Sequence, residues 1–181
     1  MSQASEPHTS PLSQPVLVAS LPDTGSTFRV EPDEAARAAL AREFGIPAIS
    51  AFKAKVTLVP GSRGSVRAEG RVEAVVRQVC VVTLEEFDTS VSEEIDVTFA
   101  PEDQLPEIRP GAEIDVSELD LPDPLVDGTV DVGAVAAEFL ALALDPYPRK
   151  PGAEFKRVEE LPDEQLSPFA ALAKLRDGDK E

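Results

Sequence analysis

The sequence predicts an α+β fold: an antiparallel β-meander, open or partly closed on itself, with one N-terminal helix and a buried C-terminal helix. Three observations carry this. Phe52, Ala54, Val56 and Leu58 alternate with Lys53, Lys55 and Thr57, and past the turn Pro60-Gly-Ser-Arg-Gly64 the same two-residue period returns as Val66, Ala68, Gly70, Val72, Ala74 and Val76. Such alternation is the mark of a hairpin with one buried and one wet face. Residues 132–144 are apolar nearly all round, which suits a helix buried across a sheet. A chain of 181 residues suits one core with tails at either end.

Taken in order, residues 1–14 are rich in Ser, Gln, Pro and Thr and read as a disordered tail. Val16 to Ser20 and Thr27 to Val30 read as short strands around Pro22-Asp-Thr-Gly25. A helix is predicted from Asp33 to Phe44, with Pro32 near its start, Glu34 in its first turn and Gly45 past its end. Its apolar stripe is Ala36, Ala39, Leu40 and Phe44. The hairpin follows, then a third strand from Phe87 to Phe99 that turns Phe87, Val91, Ile95, Val97 and Phe99 inward. Glu93 shares that parity, so it needs a bulge, an exposed edge or a cation to relieve the cost of a buried carboxylate.

Residues 101–131 hold ten carboxylates against Arg109, with five prolines, and read as an acidic, loop-rich insert laid over the sheet edge, with a short strand near Ile114 to Val116. Asp131 is placed to cap the helix at 132–144. That helix runs into Asp145-Pro-Tyr-Pro-Arg-Lys-Pro-Gly152, where three prolines stop it and enforce an extended loop showing Tyr147, Arg149 and Lys150. Ser167-Pro168 opens a short helix, Phe169 to Leu175, so residues 161–181 read as a short C-terminal helix or tail after one domain at 15–160.

Charge narrows the function. The net charge is −17, which repels phosphate backbones at long range and argues against broad, nonspecific nucleic-acid binding. The charge is uneven, however. Residues 46–80 carry Lys53, Lys55, Arg63, Arg67, Arg71 and Arg77 against only Glu69 and Glu73. Of these, Lys53, Lys55, Arg67, Arg71 and Arg77 fall on the wet face of the hairpin, where they meet a partner, are neutralised by cross-strand pairs such as Lys55 with Glu69, or are covered by the acidic insert.

No enzyme is expected. The one histidine, His8, lies in the tail, and no nucleophile, paired carboxylate or phosphate loop has the spacing of an active site. No cofactor or metal is expected either, since the one cysteine, Cys80, falls on the inward set and reads as a small buried apolar group. Glu138, the lone charge in the helix at 132–144, marks a solvent edge or helps to hold the proline loop. A single cysteine fits a reducing compartment, and neither a membrane span nor a signal peptide is read. A cytoplasmic protein is expected.

Two blocks resemble the YceD family, the large ribosomal RNA subunit accumulation proteins, in its alphaproteobacterial form. They are Arg77-Gln-Val-Cys-Val-Val-Thr-Leu-Glu85, followed by the strand Val91 to Phe99, and Asp131 to Gly152 with its Asp-Pro-Tyr-Pro-Arg-Lys-Pro-Gly end. With Phe28-Arg-Val-Glu31 the likeness covers roughly residues 15–160. Many members of that family carry Cys-x-x-Cys in the first block and more cysteines after the helix. Here the block reads Cys80-Val-Val-Thr83 and no cysteine follows, so no metal site is carried over. The resemblance implies a non-catalytic ribosome biogenesis factor that supports accumulation of 23S ribosomal RNA. Its partner would be ribosomal RNA, met by the basic hairpin face and the loop at Tyr147, Arg149 and Lys150. The alternative is an acidic binding module or chaperone for a basic ribosomal protein, without RNA contact.

Overall fold

The structure is a computed structural model in which residues 10–105 and 121–154 are described. The strand expected near Ile114 to Val116 and the helix expected at Phe169 to Leu175 lie outside the described residues.

Among the described residues the main sheet has five strands in the order β2-β3-β4-β5-β6: β2 (Ser26–Val30), β3 (Ala48–Pro60), β4 (Val66–Val79), β5 (Glu86–Ala100) and β6 (Asp123–Pro124). The first four pair antiparallel in sequence order, which is the expected meander, and β6 lies parallel to the end of β5. A separate small sheet pairs β1 (Pro15–Leu17) with β7 (Thr129–Asp131). Gly25 bends the chain between β1 and β2 at φ +78, yet β1 leaves β2 and joins residues far down the chain.

Alternation decides which face is inner. Phe52, Ala54, Val56, Leu58, Val66, Ala68, Val72, Ala74 and Val76 are all buried, whereas Lys53, Lys55, Arg67 and Arg71 are exposed. Gly70 stands directly opposite Val56, and a Cβ there would run into the Lys55 carbonyl. The absent side chain lets β3 and β4 approach closely at this point. Glu93 stands opposite buried Val72 but is itself exposed, so the outer position of β5 in the sheet, and no buried cation, relieves its cost.

Helix α1 (Glu34–Glu43) packs on β3. Asp33 caps it by accepting the Ala36 amide at 2.8 Å, and Gly45 ends it at φ +68. Leu40 and Ala41 are its buried residues, with Ala36 and Phe44 packed against the core. Helix α2 (Val132–Ala143) lies against β4 and β5 and buries Val132, Val135, Ala136, Ala137 and Leu140. Asp131 Oδ1 caps it, accepting from Gly133 and Ala134 at 3.0 Å each, and the same oxygen accepts the Gln14 amide at 2.8 Å. Ser13 donates to Oδ2 at 2.6 Å. Burial alone would raise the Asp131 pKa, but these donors hold it below the ordinary aspartate value. Leu12, in the segment expected to be tail, is buried, and its carbonyl occupies the space that a side chain on Gly133 would fill.

Candidate partner-binding surfaces

The proline loop is held in place rather than free. The Asp145 carboxylate accepts the Tyr147 amide at 2.8 Å, an Asx turn that starts the loop as the helix ends. Buried Gln78 donates from Nε2 to the Asp145 carbonyl at 3.1 Å. Val81 donates its amide to the Pro148 carbonyl at 2.9 Å, and Lys150 Nζ donates to Glu85 at 2.9 Å. Three attachments therefore seat the loop on the end of β4 and the connection that leads to β5. Tyr147 remains 72% exposed, and Arg149 is exposed beside it. Glu138 is exposed and forms no ion pair among the described residues, so it does not hold the loop; Glu85 does.

That connection is tight. Cys80 donates its amide to the Glu85 carbonyl at 2.9 Å, and Leu84 donates to the Cys80 carbonyl at 2.9 Å. The turn puts Leu84 at φ +60, a left-handed conformation uncommon for a bulky residue, and leaves it 78% exposed. Val81 is also exposed, so Val81, Leu84 and Tyr147 bring apolar surface to one end of the molecule. Cys80 is fully buried, as its parity predicts. Its sulfur also accepts the Thr83 amide at 3.5 Å. The hydrogen bond from Thr83 foremost, with help from the backbone of Lys150, Thr83 and Val82, lowers its pKa to about 7 against the opposing effect of burial.

On the outer sheet face the predicted cations divide into two groups. Arg67 grips Asp96 with two bonds of 2.8 and 2.7 Å and meets Glu69 at 3.1 Å. Arg71 meets Glu94 at 2.6 Å, and Arg77 meets Asp88 at 2.8 and 3.2 Å. The hydrogen bond from Arg67 holds Asp96 below its usual range, and that from Arg77 does the same for Asp88. Lys53 and Lys55 form no ion pair among the described residues. The expected pair of Lys55 with Glu69 is corrected by the register: Lys55 faces Arg71, and Glu69 faces Thr57.

The structure thus separates the candidate residues into a loop group, Tyr147, Arg149 and Lys150, and a sheet group on the face away from α2. It does not bring the two groups together as one patch. A groove of about 330 Å³ lies beside the loop, lined by Gln78, Phe87, Ser90, Val91, Asp145 and Arg149. Sequence reasoning missed Arg29, which sits directly opposite Lys55, and the β5 carboxylates that neutralise the β4 arginines. The odd position of Arg29 between inward Phe28 and Val30 was the available signal for the first.

Residues 68–176 match the family described as large ribosomal RNA subunit accumulation protein YceD. The matched stretch is more than half of the chain, starts within β4, and contains both the β4–β5 connection and the proline loop. No curated protein and no solved structure matches the chain. The two blocks that suggested the likeness from sequence are thus both inside the matched stretch and joined in space, and the chain belongs to the YceD family of large ribosomal RNA subunit accumulation proteins.

Proposed function

We propose that this protein is a non-catalytic ribosome biogenesis factor, working in the cytoplasm to support accumulation of 23S ribosomal RNA. Its partner meets the end of the molecule built from Val81, Leu84, Tyr147 and Arg149. One observation carries this reading: two blocks 65 residues apart, both within the family match, are bound together by the Lys150–Glu85 and Val81–Pro148 contacts. The joint product is an exposed aromatic ring, exposed aliphatic side chains and a cation, a composition suited to anchoring a partner.

The test is a Tyr147→Ala/Arg149→Ala variant, which leaves the Lys150 attachment intact. Its melting temperature should match the parent, because both side chains are exposed. Large-subunit RNA levels in cells carrying it should fall. Normal levels would reject this end of the molecule as the partner surface.

A second reading has an observation of its own. The β5 carboxylates Asp88, Glu94 and Asp96 cancel Arg77, Arg71 and Arg67, so that part of the sheet offers no net cation, and the chain carries a charge of −17. Such a surface suits a module that holds a basic ribosomal protein without touching RNA. Purified protein that binds a free basic ribosomal protein but no RNA at any salt concentration would establish that reading instead.

A further inference from the structure

The sheet face turned away from α2 is sorted by charge from one edge to the other. The register sets Arg29, Lys55, Arg71 and Glu94 in one row across β2, β3, β4 and β5. The row on one side reads Thr27, Thr57, Glu69 and Asp96, and the row on the other side sets Lys53 opposite Glu73. On β4 the charges alternate and on β5 they are acidic, and there the arginines find carboxylates within ion-pair distance. On β2 and β3 they are basic. Arg29, Lys53 and Lys55 are exposed and form no ion pair among the described residues, even though Lys53 stands opposite Glu73.

A row of like charges directly across adjacent strands destabilises a sheet. Here Lys55 has a cation on each side, Arg29 and Arg71, and only Arg71 is neutralised. An anion supplied from outside removes that repulsion. We propose that Arg29, Lys53 and Lys55 form a contact site for the phosphate backbone of RNA at the β2–β3 edge of the sheet.

The chemistry of the face favours backbone contact over base reading. Phe28, Phe52, Phe87 and Phe99 belong to the inward sets, so among the described residues this face offers no ring on which a base could stack. Thr27 and Thr57 share a hydrogen bond of 2.9 Å in the adjacent row, and the hydroxyl proton not used between them can serve a phosphate oxygen. A flat basic edge with hydroxyls beside it suits the exposed backbone of a folded RNA. The acidic β5 edge repels the same RNA, which confines the contact to one side of the sheet. The site lies before residue 68 and thus outside the stretch that carries the family match. It rests on the reading of the protein as a factor for large-subunit RNA and adds the surface through which that RNA is held.

Two charge-matched variants test it: Arg29→Gln/Lys53→Gln/Lys55→Gln, and Arg67→Gln/Arg71→Gln/Arg77→Gln as a control on the same face. Both lower the net charge equally. Binding is read as anisotropy of a labelled mixed-sequence RNA hairpin across a salt series, with circular dichroism to verify the fold. The first variant should lose roughly tenfold or more in affinity, and its slope of log affinity against log salt should become shallower by about two units. The control should stay within about twofold of the parent. Lys53→Arg/Lys55→Arg should bind as the parent does, which guards against a fold defect posing as a binding defect. Equal losses in both triple variants would overturn the site in favour of a general charge effect, and so would an unchanged first variant or a parent that ignores the hairpin. Cellular large-subunit RNA levels separate the two readings: if hairpin binding survives the first variant while Tyr147→Ala/Arg149→Ala still lowers those levels, the edge site is wrong and the proposed function stands.

Discussion

Lys150 Nζ lies 2.9 Å from a Glu85 carboxylate oxygen and so joins the loop after α2 to the turn before β5. Both side chains are substantially exposed, at 44% and 60%, so water and salt screen the pair and its effect is mainly positional. The hydrogen bond from Lys150, and then its charge, hold Glu85 below the usual glutamate value.

Glu85→Gln is therefore expected to loosen the loop without unfolding the domain. Amide exchange at Val81, whose partner is the Pro148 carbonyl, should quicken, while the melting temperature stays near that of the parent. In the parent the attachment is fully present above the ordinary glutamate pKa and is lost as the pH falls through the depressed value of the folded state. Loop protection should thus hold at neutral pH and weaken only in acid, as Glu85 takes up its proton below the ordinary glutamate range. Protection unchanged in the variant would show that Gln78 and Val81 hold the loop unaided.

Asp131→Ala should cost about 1–2 kcal/mol in urea unfolding, since it removes a helix cap. The same change frees Ser13 and Gln14, so the segment at residues 10–14 should become open to protease. Because the folded pKa is depressed, the stabilisation is present above the ordinary aspartate value and falls away as acid titrates the group through its folded value. A variant as stable as the parent at pH 7 would contradict this role.

Leu140→Ala should be the most damaging of these changes, at about 2–5 kcal/mol, because Leu140 is fully buried where α2 meets the sheet. Leu142→Ala, two residues on and 72% exposed, should change unfolding little. Similar losses in the two would mean that α2 is not anchored by the face assigned to it.

Cys80 combines a lowered pKa, at about 7, with complete burial. Burial should prevail in the native protein. A thiol reagent should label it slowly at pH 8, at a rate set by opening of the 80–85 turn, and quickly in denaturant. Glu85→Gln should speed native labelling, since the loop supplies one of the backbone contacts to the sulfur. Rapid labelling of the parent would show that the turn is already open.

The sequence made the faces legible but not all of the partners. Alternation at Phe52 to Leu58 and Val66 to Val76 named the buried set, because a one-residue slip would expose all of it. A two-residue slip keeps every side chain on its own face and changes only its neighbour. That freedom is why Lys55 was matched with Glu69 when Arg71 stands opposite it. The α2 cap and the proline stop were legible because local backbone chemistry dictates both. The Glu85 contact and the β1–β7 pairing were not, since nothing local in either segment specifies a partner so distant along the chain.

The bond from Gln14 to Asp131 spans 117 positions of the chain, and the small β1–β7 sheet it borders has only three residue pairs. The β2–β5 meander, by contrast, is built from strands adjacent in sequence. Closing so large a loop is entropically costly and is repaid only once the meander and α2 exist to receive it. Docking of β1 is thus the expected final step of folding and the first to reverse. In amide exchange the β1–β7 pairs should open well below the global unfolding free energy, while Val56 and Val72 exchange only when the whole chain unfolds.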